Sequence, residues 1–159
     1  MIAEGMVEQG LAITRAVHDR YHASRRNPWN EIECGDHYAR AMASYGTFVS
    51  MCGLEYHGPK QHIGFAPRTD ESDFSAAFVA AEGWGTFSQQ IKPSTLEGCV
   101  CLRTIALGIP EGRTRSGVSA AWNRNSIPTQ ANVAGQQVTI ALESPVELKS
   151  GDVLKITVA

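Results

Sequence analysis

Hydrophobic positions recur at helical spacing in the first third of the chain and at alternating spacing in the remainder. Ile2, Met6, Ile13, Val17 and Tyr21 fall along one stripe and predict an amphipathic helix over residues 2–22, weakened near its start by Gly5 and Gly10. Asn27-Pro28 breaks the pattern, because proline disfavours the α conformation in the residue before it. Tyr38, Met42, Tyr45, Val49 and Cys52 predict a second helix over 36–52, with Gly53 as its C-terminal cap. The two helices would form an αα-hairpin.

After Gly53 the punctuation changes to Gly58-Pro59, Ala66-Pro67, Lys92-Pro93, Pro110-Glu111-Gly112, Gly135 and Ser150-Gly151. Between these lie runs with β-like alternation at 75–81, 85–91, 99–107, 137–142 and 153–158, with 143–152 read as a loop plus a short edge strand. Short strands with turn signals at intervals of about ten residues predict an antiparallel β-sandwich or jelly-roll-like module. The expected class is therefore α+β, divided into a helical segment over 1–53 and a β module over 54–159.

Bulk properties narrow the partners. The 159 residues carry a formal net charge of -2, and no basic cluster extends beyond Arg25-Arg26, which argues against nucleic acid. No apolar run approaches the ~20 residues that span a bilayer, and the opening has no signal-peptide pattern, so a cytoplasmic protein with no membrane span is expected. Four cysteines are too few for a secreted framework. Cys99 and Cys101 would point to one face of a strand and not pair with each other, so reduced thiols are expected.

The densest chemistry lies at 25–40, where Glu31, Glu33, Asp36, His37, Trp29 and three arginines crowd the mouth of an apolar helix. Polar groups there are costly without partners, so the stretch marks a candidate site for a hydroxyl-rich ligand. Glu31 could accept two hydroxyl hydrogen bonds and Arg40 could donate a fixed fork to adjacent oxygens; equally, the two could pair with each other and pin the helix start. Asp36 fits a helix N-cap as well as a ligand contact, and Glu33 and His37, four apart, could pair. Cys34-x-x-His37 resembles half of a zinc site, yet no second half exists, and His57 and His62 have no matching cysteines; neither a metal nor a cofactor is expected. Trp29 and Trp84 could stack on sugar rings or fill the core, and Trp84 could plug the junction after the helices. Trp122 receives no role.

The run Arg26-Asn27-Pro28-Trp29-Asn30-Glu31-Ile32-Glu33-Cys34-Gly35-Asp36-His37-Tyr38-Ala39-Arg40-Ala41-Met42-Ala43-Ser44-Tyr45 resembles the C-terminal signature of glycoside hydrolase family 116, which includes glucosylceramidase-like and β-xylosidase-like enzymes. A second block is similar to the same family, in order: Gly58-Pro59, Ile63-Gly64-Phe65-Ala66-Pro67-Arg68, Phe74 and Ala81-Glu82-Gly83-Trp84-Gly85-Thr86-Phe87. The two blocks span most of residues 25–90; beyond residue 95 only a general likeness to bacterial C-terminal tails remains. The resemblance implies that the helices are the last pair of an (α/α)6 barrel. It also implies that Glu31 and Arg40 contact the glucose unit of the first subsite, with Trp29, Glu33, Asp36 and His37 nearby candidates. The family's nucleophile and acid/base match no segment of this chain, so no residue is assigned a catalytic role.

Three readings follow. The first is a C-terminal portion of a retaining β-glucosidase or glucosylceramidase, inactive alone, whose parent takes a glucoside or xyloside. The second is a free-standing carbohydrate-binding or interaction module, a homo-oligomer through the apolar stripe of its helices. The third is a small hydrolase, since glycoside hydrolysis needs two carboxyl groups and Glu31, Glu33 and Asp36 could in principle supply them.

Overall fold

A computed structural model describes residues 1–20, 24, 41–90, 93–109 and 117–158. The chain divides into two compact units, Met1–Cys52 and Gly53–Ala159. The described residues are α+β, with two α-helices and a large, mostly antiparallel sheet of ten strands.

In the first unit a 3-10 turn over Ile2–Glu4 precedes α1 (Val7–His18), and α2 spans Ala41–Cys52. The expected continuous helix from residue 2 is broken, because Gly5 takes the left-handed conformation at φ 85 and reverses the chain. The reversal folds Ile2 onto Gly10, where an added Cβ would lie 2.5 Å from Ile2 Cγ1, so Ile2 is buried against bare backbone. The inward line of α1 is consequently Val7, Gly10, Thr14 and Val17, with Thr14 Oγ1 donating to the Gly10 carbonyl at 2.8 Å. Met6 and Ile13, assigned to the buried stripe from spacing, are exposed instead. On α2, Met42, Tyr45 and Phe48 are exposed and Cys52 is buried. The helix ends where Gly53 adopts φ 57, the expected cap conformation.

The second unit is organised by one long strand. Its elements are β1 (Glu55–His57), β2 (His62–Phe65), β3 (Asp73–Ala80), β4 (Gly83–Gln90), β5 (Ser94–Gly108), β6 (Val118–Trp122), β7 (Asn125–Ile127), β8 (Thr129–Ala134), β9 (Gln137–Leu148) and β10 (Val153–Val158). On one flank of β5, β4 pairs with the first half and β2 with the second half. On the other flank β10 covers the first half and β9 the second. The remaining strands extend these four outward: β3 on β4, β1 on β2, β6 then β7 on β10, and β8 on β9. The module is not wholly antiparallel, since β2 runs parallel to β5, from His62 opposite Thr104 to Phe65 opposite Leu107.

A single apolar core draws from both halves. Ile63 and Phe65 of β2, Phe78 of β3, Phe87 of β4, Leu96 through Leu107 of β5, Val138 and Ile140 of β9, and Leu154 and Ile156 of β10 belong to it. Phe65 and Phe87 stack with centroids 4.0 Å apart and planes 3° apart, while Phe78 meets Phe65 edge-on at 5.7 Å. Because β2 and β4 join different halves of β5, this stack ties the two halves together. Each of the five expected strands is present; β9 runs on through 143–148, where Val146–Leu148 pair with β5 beyond a bulge. Five further strands were not expected from the pattern, and β8, exposed at nearly every position, shows why: without a buried face there is no alternation to read.

Candidate functional site

Glu31, Arg40, Trp29, Glu33, Asp36 and His37, the residues on which the sequence concentrates its chemistry, lie outside the described residues. The described residues present a different concentration of polar and aromatic groups, all in the second unit, around the midpoint of β5.

Alternation along β4 creates it. Gly85, Phe87 and Gln89 point inward, so Trp84, Thr86 and Ser88 occupy the opposite face. Trp84 is 57% exposed, and Val79, directly opposite it on β3, is 66% exposed. The expectation that Trp84 fills the core or a junction is thereby corrected: it is three residues from the core ring Phe87 and so faces the other way. Its backbone is held by close approach. A Cβ on Gly83 would sit 2.1 Å from the Cys99 carbonyl oxygen, one on Gly85 2.1 Å from that of Glu97, and one on Gly98 2.2 Å from that of Trp84. Only glycine lets β4 and β5 come this near, and the result is an indole that faces solvent above two closely packed strands.

Next to Trp84, in the two-residue turn between β3 and β4, Glu82 receives a long hydrogen bond from the Tyr56 hydroxyl at 3.4 Å. Loss of solvent and then the Glu82 carboxylate push the Tyr56 hydroxyl up from its usual range, so it remains a donor at neutral pH. Cys99 pairs with Trp84 across the strands, and Cys101, two residues on, shares its face; neither forms a disulfide. Gln61 Nε2 reaches Cys101 Sγ at 3.1 Å. Gln61 itself is left-handed at φ 51, a costly conformation for a side-chain-bearing residue. It is secured by its carbonyl, which accepts from the Arg103 and Thr104 amides at 2.7 and 3.2 Å.

On the adjoining strands His62 Nδ1 meets Thr104 Oγ1 at 2.8 Å, and its Nε2 lies 3.8 Å from the Glu55 carboxylate. His57 and His62 thus sit on β1 and β2, opposite each other in register. Among the described residues no cluster of three metal-binding side chains exists. A cavity of about 230 Å³ opens at the far end of β5, between Ala66, Arg68, Glu71, Gly108 and Gln136. Its wall is anchored from inside by buried Gln89, whose Nε2 donates to the Glu71 carbonyl at 2.8 Å.

Neither a family model nor a curated protein matches the chain. Among the described residues no helix is long and apolar enough to cross a membrane.

Taken chemically, the surface offers an aromatic face, a carboxylate, a phenolic hydroxyl and a primary amide, each able to meet hydroxyl groups. Trp84 could have been placed outward from sequence, since Trp84 and Phe87 differ by an odd number of residues and only one can face the core of a strand. Tyr56, Gln61 and Glu82 gave no such signal, because their proximity depends on β2 docking on β5.

Proposed function

We propose that the chain is a carboxyl-terminal portion of a retaining β-glycosidase of the family-116 type, contributing Glu31 and Arg40 to the first sugar subsite and none of the catalytic carboxylates. The observation that carries this reading is the pair of ordered sequence blocks within 25–90. On this reading α1 and α2 are an αα-hairpin from an (α/α)6 barrel, and the two halves of the sheet close over their core as a sandwich.

The test is calorimetric titration of the full chain with glucose, xylose and a glucose-like iminosugar, repeated on Arg40→Ala. A charged hydrogen bond contributes roughly 1.5–3 kcal/mol, so the variant is expected to bind the iminosugar at least ~10-fold more weakly. Equal binding by both proteins would refute the assignment of Arg40. The chain is expected to leave an aryl β-glucoside intact; turnover lost in Glu31→Gln would favour a small hydrolase instead.

A second reading rests on a separate observation. Met6, Leu11 and Ile13 of α1 and Met42, Tyr45 and Phe48 of α2 are exposed, an unusual density of large apolar side chains. We infer that the helices self-associate when no barrel surrounds them. Sedimentation analysis should then give a dimer or larger species that Tyr45→Asp with Phe48→Asp converts to monomer; a monomeric starting protein would exclude it.

A further inference from the structure

We propose that Trp84 is the stacking platform of a second carbohydrate site, which takes a neutral pyranose ring of an oligosaccharide on its exposed indole face while Glu82 and Tyr56 meet the hydroxyls at the ring edge. The inference concerns this surface of the second unit and does not depend on Glu31 or Arg40.

Three features converge on it. The first is exposure against cost: an indole with more than half its surface in water forgoes the burial that gives tryptophan its value in a fold, although the core lies directly beneath its own strand. The second is close support. Gly83, Gly85 and Gly98 are each at a position where a methyl group would collide with carbonyl oxygen, so the backbones of β4 and β5 meet in close contact beneath Trp84. The third is chemical mixture. Glu82 and Tyr56 form a joined acceptor and donor one turn residue away, and Thr86 adds a hydroxyl on the same face.

The occupant follows from size and charge. Trp84 and Val79 alone are the large apolar residues exposed on β3 and β4 among the described residues. Two side chains fall far short of the ~800 Å² per partner that a stable protein interface buries. Glu97, opposite Thr86 on β5, adds a second carboxylate to the Glu82 side of this face, and acidic groups do not suit a phosphate or other anion. A flat, uncharged ring with axial C–H groups on one face and hydroxyls around its rim meets both halves of the site.

The experiment is titration of the full chain with cellohexaose and xylohexaose up to ~10 mM, the upper end of weak binding. It is followed by calorimetry and by indole chemical shifts, in the natural sequence, Trp84→Ala, Trp84→Phe, Glu82→Gln and Arg40→Ala. Expected are millimolar binding, a loss of ~10-fold or more in Trp84→Ala, partial retention in Trp84→Phe and a smaller loss in Glu82→Gln. Arg40→Ala should leave the ligand-induced shift of the Trp84 indole as it is in the natural sequence, even where calorimetry shows a loss at the first subsite, which separates the two sites. Unchanged circular dichroism and melting in Trp84→Ala would show that the loss is not unfolding. No binding of either hexaose, equal binding by Trp84→Ala, or a change of oligomeric state on that substitution would each overturn the proposal.

Discussion

The two units treat apolar side chains in opposite ways. In Gly53–Ala159 the core takes in Phe65, Phe78, Phe87 and a continuous set of aliphatic residues, leaving Val79, Trp84 and Val133 as the exposed large hydrophobics among the described residues. In Met1–Cys52 the described residues bury Ile2 and Cys52, while Met1, Met6, Leu11, Ile13, Met42, Tyr45 and Phe48 stand in solvent. The sheet needs nothing further to satisfy its apolar surface. The helices do, because a helix presents a stripe that must be covered by another element. The contrast separates a unit with its own apolar core from one whose described large apolar side chains are mostly exposed.

The sharpest way to break the comparison is to truncate one aromatic ring in each unit. Phe87→Ala removes the partner of Phe65 from a stacked, fully buried pair and should cost about 3–5 kcal/mol in denaturant unfolding. Phe48→Ala, on exposed α2, should cost under ~1 kcal/mol. Equal losses would mean that the helices own a core after all. Glycines test the same point through the backbone. Gly98→Ala puts a methyl 2.2 Å from the Trp84 carbonyl oxygen at φ 146 and should destabilise by about 1–3 kcal/mol or more. Gly46→Ala meets nothing within 4 Å on α2 and should instead raise the melting temperature, with a gain of up to ~1 kcal/mol.

Thiol chemistry sharpens the picture by running against it, since the most buried cysteine among the described residues belongs to the first unit. Burial pushes the Cys52 thiol up, whereas Cys99 and Cys101 are half-buried on the outer face of β5. In a Cys34→Ser background, labelling with a disulfide reagent should modify Cys99 and Cys101 first and Cys52 at least ~10-fold more slowly. The smallest effect concerns Asp152, whose carboxylate is held below its usual range by the Asn123 amide at 2.6 Å and then by the Lys149 backbone amide at 2.9 Å. A lowered carboxylate stabilises the fold above the ordinary carboxylate range and loses that contribution as pH falls through the folded value. Melting curves of Asp152→Asn should therefore lie below those of the natural sequence at neutral pH and converge with them in acid. The exposed Arg15–Asp19 pair of α1, at 2.7 Å, should change melting even less, and only at low salt.

What could be read in advance follows physical lines. Strands β3, β4, β5 and β10 each have one buried face, and their alternation is plain in the sequence. The β6–β7 hairpin was hidden because its two turn residues, Asn123 and Arg124, adopt positive φ without a glycine to announce it. Helix α1 was assigned the wrong inward line, because spacing alone cannot foresee that Gly5 would reverse the chain and seat Ile2 on Gly10. The candidate residues from Trp29 to Arg40 lie outside the described residues, so their reading still rests on sequence. Trp84 was visible as an aromatic, with stacking on a sugar and packing in the core both open, although the parity of β4 already pointed it outward.

Strand β10 carries a consequence for synthesis. It is inserted between β5 and β6, hydrogen-bonded on both sides, although it comes after every other strand in the chain. While a ribosome is still making residues 137–152, β5 and β6 each expose an unpaired edge next to a growing apolar core. The half of the sheet built on β10 cannot close until Val153 through Val158 have left the exit tunnel, so its assembly follows synthesis of the other described strands and carries the slow kinetics of long-range pairing. A nascent chain stalled shortly before Val153 should be the form most prone to aggregate, and the one a chaperone would hold.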